Sequence, residues 1–194
     1  MNRKKELNVA CSTNGGVKKS EIAPLIDQKC LKNRVLKMGA KITAEFADRN
    51  LTVIAISNGA ILFVADLVRA IDLPIQLDNI SVHSYSGTRS VGDVKIFSDL
   101  KLDITGRDIL LVDDILDTGK TLVKIVEFLK ELNPATVKTC VLLDKPSRRV
   151  VDIVADYVGF EVPDVFVVGY GMDYNEYYRN LAYVGVLNLK EIKN

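Results

Sequence analysis

The stretch Ile109-Leu110-Leu111-Val112-Asp113-Asp114-Ile115-Leu116-Asp117-Thr118-Gly119-Lys120-Thr121 constrains the fold more than any other part of the chain. Four apolar residues run straight into two adjacent carboxylates. A short apolar run bounded by turn signals reads as a strand buried on both faces. A third carboxylate and a Thr-Gly-Lys-Thr turn follow, and Leu122, Ile125, Val126 and Leu129 then recur at helical spacing. Strand, turn and helix N-terminus in this order form an anion cradle, because the first N–H groups of a helix have no partner within it. Acid beside such a cradle repels a bare phosphate. A sugar phosphate suits both halves: its hydroxyls donate to the carboxylates and its phosphate enters the turn. A Walker A loop is not supported, since it needs Gly five residues before Gly119 and that position is Asp114.

A chain of 194 residues is long enough for one domain with a full core, or a domain plus a small flap. Residues 1–18 are polar and aperiodic and contain Gly15-Gly16; a mobile tail is expected there, with a single domain over 19–194. The 26 basic and 25 acidic residues leave a net charge of +1, which supports neither a nucleic-acid partner nor a membrane surface. Cys11, Cys30 and Cys140 are widely spaced without a CxxC pair and read as free thiols in a reducing compartment. His83 is the single histidine, so neither a zinc site nor a Ser-His-Asp triad is expected. No apolar run approaches the roughly 20 residues of a membrane span. The N-terminus lacks an apolar signal region, and a cytoplasmic location is expected.

Elsewhere Ser20-Glu21 is expected to open a helical region whose inner face carries Val35, Met38, Ile42 and Phe46. Strands are expected over 51–56, 75–82, 109–112, 137–143, 165–168 and 183–187, with a helix marked by Ile61, Val64, Ala65 and Val68. This alternation predicts an α/β fold: an open, mainly parallel sheet with helices on both faces. Ligands of such sheets bind outside the carboxyl ends of the strands. The turns at Ser57, Asp113, Lys145 and Asp173 are thereby expected to converge. Residues 84–95 are rich in Ser, Gly and charge, the character of a functional lid.

The acidic motif resembles the phosphoribosyl-pyrophosphate signature of the type I phosphoribosyltransferases. Residues 160–181 (FEVPDVFVVGYGMDYNEYYRNL), together with Ala65-Asp66-Leu67-Val68-Arg69-Ala70-Ile71, Ser84-Tyr85 and Leu143-Asp144-Lys145-Pro146, resemble the hypoxanthine-guanine branch of that family. The likeness covers roughly residues 20–190. It implies the type I phosphoribosyltransferase fold, with a small hood built from terminal segments and centred near 145–185. It also implies magnesium-dependent transfer of phosphoribose from phosphoribosyl pyrophosphate to hypoxanthine or guanine, giving IMP or GMP and pyrophosphate. A homodimer or homotetramer is implied as well.

The resemblance also implies roles for residues. Asp113 and Asp114 would hold the ribose hydroxyls, directly or through magnesium, and Asp117 would stand beside purine N7 as proton acceptor. An N-cap for the following helix is the plain structural role open to Asp117. Thr118, Gly119, Lys120 and Thr121 would take the 5′-phosphate, Lys120 through its backbone. Lys145 would donate to the exocyclic 6-oxygen, Phe166 would stack on the purine, and the Val167 backbone would meet the base edge. Asp173 would flank the base and hold a second magnesium, and Arg179 would bind pyrophosphate. Ser84 and Tyr85 would belong to the lid.

The chain departs from the family at Ser57-Asn58-Gly59, where Leu-Lys-Gly with a cis peptide is usual and pyrophosphate contacts lie near Asn58 and Gly59. Asn58 removes a positive charge, which implies weaker binding of phosphoribosyl pyrophosphate. Two rival functions share the fold: a non-catalytic phosphoribosyl-pyrophosphate or nucleotide sensor regulating transcription, and a transferase for another base such as a pyrimidine. The presence together of Asp117, Lys145, Phe166, Asp173 and Arg179 disfavours both.

Overall fold

The computed structural model of the chain describes residues 22–84, 94–97 and 100–188. A six-stranded sheet carries the core. Its strands are β2 (Leu51–Ser57), β3 (Gln76–Ser84), β4 (Val94–Phe97), β5 (Asp108–Leu116), β6 (Thr136–Asp144) and β7 (Tyr157–Glu161), in the order β4-β3-β2-β5-β6-β7. Every pairing is parallel except β3 with β4. Side-chain alternation sends Val53, Ala55, Leu110, Val112, Cys140 and Leu142 to one face. There they pack on Leu31, Val35, Met38 and Ile42 of helix α1 (Gln28–Glu45) and on Phe63, Val64 and Leu67 of α2 (Ile61–Ala70). Ile54, Ile56, Ile109, Leu111 and Val141 go to the other face, against Leu122, Ile125 and Leu129 of α3 (Lys120–Glu131). Helices therefore cover both faces, as the alternation predicts.

This arrangement places the site. The chain leaves β2 through α2 on one face, and leaves β5 through α3 on the other. Neighbouring parallel strands whose connections diverge in this way open a crevice at their carboxyl ends. The β2–β5 pairing stops at Ala55 with Val112, while β5 continues along β6 to Leu116 with Asp144. Asp113 and Asp114 thus stand on the strand itself, at the lip of the crevice, rather than in a turn after it.

One further expectation is corrected. Helix α1 begins at Gln28, not near Ser20-Glu21, because Asp27 caps it by accepting the Cys30 N–H at 2.7 Å. Ala23–Ile26 form instead a strand, β1. The late strands β8 (Val167–Val168) and β9 (Val184–Val186) do not extend the main sheet. They pair with β1 in a second, antiparallel sheet of order β1-β9-β8, which is the hood expected from terminal segments. The main sheet ends in β7, held by the Arg34 guanidinium of α1, which donates to the Val158 and Gly159 carbonyls at 2.6 and 2.7 Å.

Cys140 is buried in the sheet, where desolvation pushes its thiol pKa up and keeps it inert. No helix among the described residues is long and apolar enough to cross a membrane. The expected tail over 1–18, Cys11, Tyr85 and most of the lid lie outside the described residues. Ser84 ends β3.

Candidate active site

Two adjoining cavities occupy the crevice. The first, about 280 Å³, is lined by Ser57, Asp113, Asp117, Thr118, Gly119 and Thr121, among others. The second, about 390 Å³, is lined by residues that include Asp114, Asp117, Lys145, Phe166, Val167 and Asp173. Ile115 and Asp117 border both. One cavity therefore presents the helix-start loop and the other the hood, with Asp117 at the junction.

The loop of the first cavity is shaped by Gly119, which has φ +86° and is the N-cap of α3. A Cβ there would lie 2.7 Å from both the Ile153 and the Val151 side chains. Among the described residues no side-chain hydrogen bond caps the helix, and the N-cap is Gly119 and not Asp117, so the plain capping role open to Asp117 is not taken. The open first turn keeps its N–H groups for an anion. Lys120 is exposed and does not line the cavity, in keeping with the reading that only its backbone serves there.

The acids that border this loop are offset by two arginines that the sequence reading did not single out. Arg149 donates to the carbonyls of Leu116, at 3.0 Å, and of Asp117, and pairs with Asp144. Arg148 Nε lies 3.0 Å from Asp117 Oδ1. Both follow Lys145-Pro146-Ser147 in the chain. The need for cations near three carboxylates was the available signal.

Asp113 accepts the Asp114 N–H at 2.9 Å through its own Oδ1. Desolvation and the neighbouring Asp114 charge push the Asp113 carboxyl well above its ordinary range. Desolvation also raises Asp114, against the opposing influence of Arg179. Gly59 meets this pair closely: a Cβ at Gly59 would fall 1.8 Å from Asp114 Oδ2. The Ser57–Asn58 peptide is cis, as the family resemblance implies. The Gly59 carbonyl in turn lies where a Cβ of Gly171, at φ +105°, would approach to 2.0 Å. Turn, acidic strand and hood are therefore stacked through two glycines.

In the second cavity Lys145 is only 7% exposed and donates through Nζ to the Val165 carbonyl at 2.7 Å. An ammonium has three donors, so this bond fixes the group and leaves donor capacity toward the cavity. Phe166 is 40% exposed. Tyr174 holds it edge-on, with centroids 5.7 Å apart and planes at 90°. Val167 is buried in β8, paired with Val186. Asp173 Oδ1 lies 2.8 Å from Arg179 Nη2, and Asp173 Oδ2 accepts the Glu176 N–H at 2.9 Å. Arg179 also donates to the Gly171 carbonyl at 2.8 Å. Tyr170 O–H donates to Asp66 of α2 at 2.6 Å and ties this loop to the main domain.

The acidic groups form no cluster of three potential metal ligands among the described residues. Their chemistry still fits magnesium, which takes hard oxygen ligands and is bound by one or two carboxylates plus waters and substrate phosphates. Asp113 and Asp114 form one such pair, and Asp173 belongs to a separate position facing Arg179.

The family model for the phosphoribosyl transferase domain matches residues 25–175. The hypoxanthine-guanine phosphoribosyltransferase of Bacillus subtilis (strain 168) is 48% identical over 164 residues, covering 84% of this chain and 91% of that protein. The hypoxanthine phosphoribosyltransferase of Haemophilus influenzae is 42% identical over 179 residues, covering 90% of this chain and 100% of its own. The crystal structure of a hypoxanthine phosphoribosyltransferase from Staphylococcus aureus superposes with a TM-score of 0.83 at 40% identity, covering 90% of this chain and 95% of that one. A domain match over most of the chain, together with relatives and a solved structure at 40% identity or more that share nearly the whole fold, shows that this chain belongs to the hypoxanthine-guanine phosphoribosyltransferase family.

Proposed function

We propose that the protein transfers 5-phosphoribose from phosphoribosyl pyrophosphate to hypoxanthine or guanine, a purine salvage reaction yielding IMP or GMP. The observation that carries this reading is the pair of cavities sharing Asp117, one suited to a sugar phosphate and the other to a purine. The 5′-phosphate sits on the Thr118–Thr121 loop and the start of α3. Asp113 and Asp114 accept from the ribose hydroxyls. The purine lies against Phe166, its edge along the Val167 backbone and beside Asp173, with its 6-oxygen at Lys145.

In the reaction purine N9 forms a bond to ribose C1 as the bond from C1 to the pyrophosphate oxygen breaks. Asp117 accepts the N7 proton, which general-base catalysis requires to lie within hydrogen-bond reach. Arg179 receives the leaving pyrophosphate, exchanging part of its pairing with Asp173 and Glu176 for the phosphate oxygens. Asp113 and Asp114, and separately Asp173, would hold magnesium, whose chemistry when bound would be to neutralise charge on the phosphate oxygens. The lid expected over residues 84–95, which begins with Ser84 and Tyr85, would exclude water from the sugar cation. Incubation with phosphoribosyl pyrophosphate, magnesium and hypoxanthine tests the reading: IMP and pyrophosphate appear in equal amounts, and chelation of the metal stops the reaction. A protein that binds phosphoribosyl pyrophosphate tightly without forming nucleotide is a sensor instead.

Lys145 favours bases with a 6-oxygen, because adenine presents a donor there and not an acceptor. A hydrogen bond to a charged group contributes about 1.5–3 kcal/mol. Lys145→Ala is therefore expected to lower kcat/KM for hypoxanthine by about 10- to 100-fold and to narrow its preference over adenine. An unchanged ratio of the two specificity constants removes Lys145 from this role.

Asn58 stands where the family lysine would add a charge near pyrophosphate. Asn58→Lys is expected to lower KM for phosphoribosyl pyrophosphate by about three- to ten-fold at low ionic strength, with the gain fading as salt screens it. Steady-state kinetics at two salt concentrations check this, and an unchanged KM contradicts it.

A homodimer or homotetramer in the cytoplasm is part of the same proposal. A groove of about 690 Å³ between α1, α2 and residues 180–182 supports the assembly, with Leu36 and Leu62 exposed along it. It contains none of the candidate catalytic residues. Sedimentation analysis distinguishes the assemblies from a monomer.

A further inference from the structure

Arg148 ends the short 3-10 turn Pro146–Arg148 and lines the base cavity. Its Nε lies 3.0 Å from Asp117 Oδ1 and 3.7 Å from Asp164 Oδ1. Asp117 follows β5 and Asp164 precedes β8, so the guanidinium bridges two segments that wall the same cavity. Stability gives little reason for this bridge. The Arg148 and Asp117 side chains are 47% and 38% exposed, and ion pairs in water contribute little to folding.

The turn that carries Arg148 is firmly placed. The Lys145 N–H donates to the Leu116 carbonyl at 3.0 Å, and the Arg148 N–H to the Lys145 carbonyl at 3.1 Å. Arg149 fastens the same turn to Leu116 and Asp117. One short segment therefore carries Lys145, buried in the base cavity, and Arg148, bound to Asp117. The 6-oxygen and N7 are neighbouring atoms on one edge of a purine. The residue that reads the first and the residue that orients the acceptor of the second stand three positions apart on one turn.

We infer that Arg148 is a positioning residue for Asp117. This rests on the reading of Asp117 as the N7 proton acceptor. The guanidinium engages Oδ1 and holds the carboxylate at the junction of the two cavities, so that its other oxygen accepts the purine proton. Without Arg148 the carboxylate samples other rotamers, and fewer bound purines meet an aligned acceptor. The consequence falls on turnover and not on the hold of the 5′-phosphate by the Thr118–Thr121 loop, whose cavity Arg148 does not line.

The test is a double-mutant cycle on kcat with hypoxanthine, using the full chain with wild-type, Arg148→Ala, Asp117→Asn and the double variant. Arg148→Ala alone is expected to lower kcat by about 10- to 100-fold, the scale of a misplaced catalytic group. KM for phosphoribosyl pyrophosphate and the melting temperature should be nearly unchanged. In the Asp117→Asn background the same change is expected to cost less than about three-fold, because the group Arg148 acts through has gone. An equal fold-loss in both backgrounds, or no loss in either, overturns the inference while leaving the Asp117 reading intact. Near wild-type turnover by Asp117→Asn alone overturns the Asp117 reading, and the inference with it.

Discussion

Asp117→Asn is expected to lower kcat by about 100- to 10,000-fold, the usual contribution of a positioned acid or base. IMP binding is expected to change by less than about three-fold, because the amide keeps the size and one acceptor oxygen of the carboxylate. Asn can still accept from Arg148, whose Nε lies 3.0 Å from Oδ1 in the native site, but it cannot take up a proton at pH 7. The same chain segment keeps its helix start, since the N-cap of α3 is Gly119 and not Asp117. The substitution therefore separates chemistry from architecture. Single-turnover rates and IMP titration on the same preparation check it. A parallel loss in binding and turnover would mean that Asp117 serves the fold of the loop and not the reaction.

Gly59→Ala is the second large effect. The added Cβ would stand 1.8 Å from Asp114 Oδ2 and 2.7 Å from its Cγ. The neighbour is the end of a side chain, so rotation of Asp114 relieves the clash and the fold survives. Overpacking of this kind costs about 1–3 kcal/mol of stability. The displaced carboxylate is one of the pair proposed to hold the ribose and magnesium. A shift near 1 Å at such a group costs about 100-fold in rate. Loss of turnover by about that factor is expected, with a raised magnesium requirement and a cooperative melting transition. Gly171→Ala differs in kind: its Cβ meets the Gly59 carbonyl at 2.0 Å, at φ +105°, and backbone cannot rotate aside. Wild-type activity in Gly59→Ala would show that Asp114 tolerates displacement and is not part of the machinery.

Much of this architecture was legible because several residues carry long-range information locally. Ile109–Val112 had to be a strand covered on both faces, and the faces are covered by α1 and α2 on one side and α3 on the other. The inner stripe of α3 followed from the spacing of Leu122, Ile125 and Leu129, all buried. The hood was harder. Strand β1 has four residues including Pro24, and its partner β9 lies about 160 positions away, with Ala23 opposite Val186. Nothing within so short a segment specifies such a partner. Ser20-Glu21 offers an acidic opening for a helix, whereas the cap that forms is Asp27 with Cys30.

The site divides in the same way. Asp113, Asp114, Asp117 and the Thr118–Thr121 loop lie together in sequence and border the crevice together. Lys145, Phe166, Val167 and Asp173 come from later strands and turns, and the parallel topology brings them to the second cavity. Arg148 and Arg149 belong to no motif in the sequence, although Asp144, Asp117 and Asp164 demand cations nearby. A basic pair in a turn reads as ordinary solvated charge until a third dimension shows which carboxylates it faces.

In the proposed function, the cavity holding Lys145 selects a purine by its 6-oxygen. The most direct measurement is nucleotide formation from phosphoribosyl pyrophosphate and magnesium with hypoxanthine, guanine, xanthine, adenine and uracil compared side by side. Rapid product from hypoxanthine and guanine is expected, with adenine and uracil left unconverted. Efficient conversion of adenine or uracil, or no nucleotide from any of the five, would contradict it.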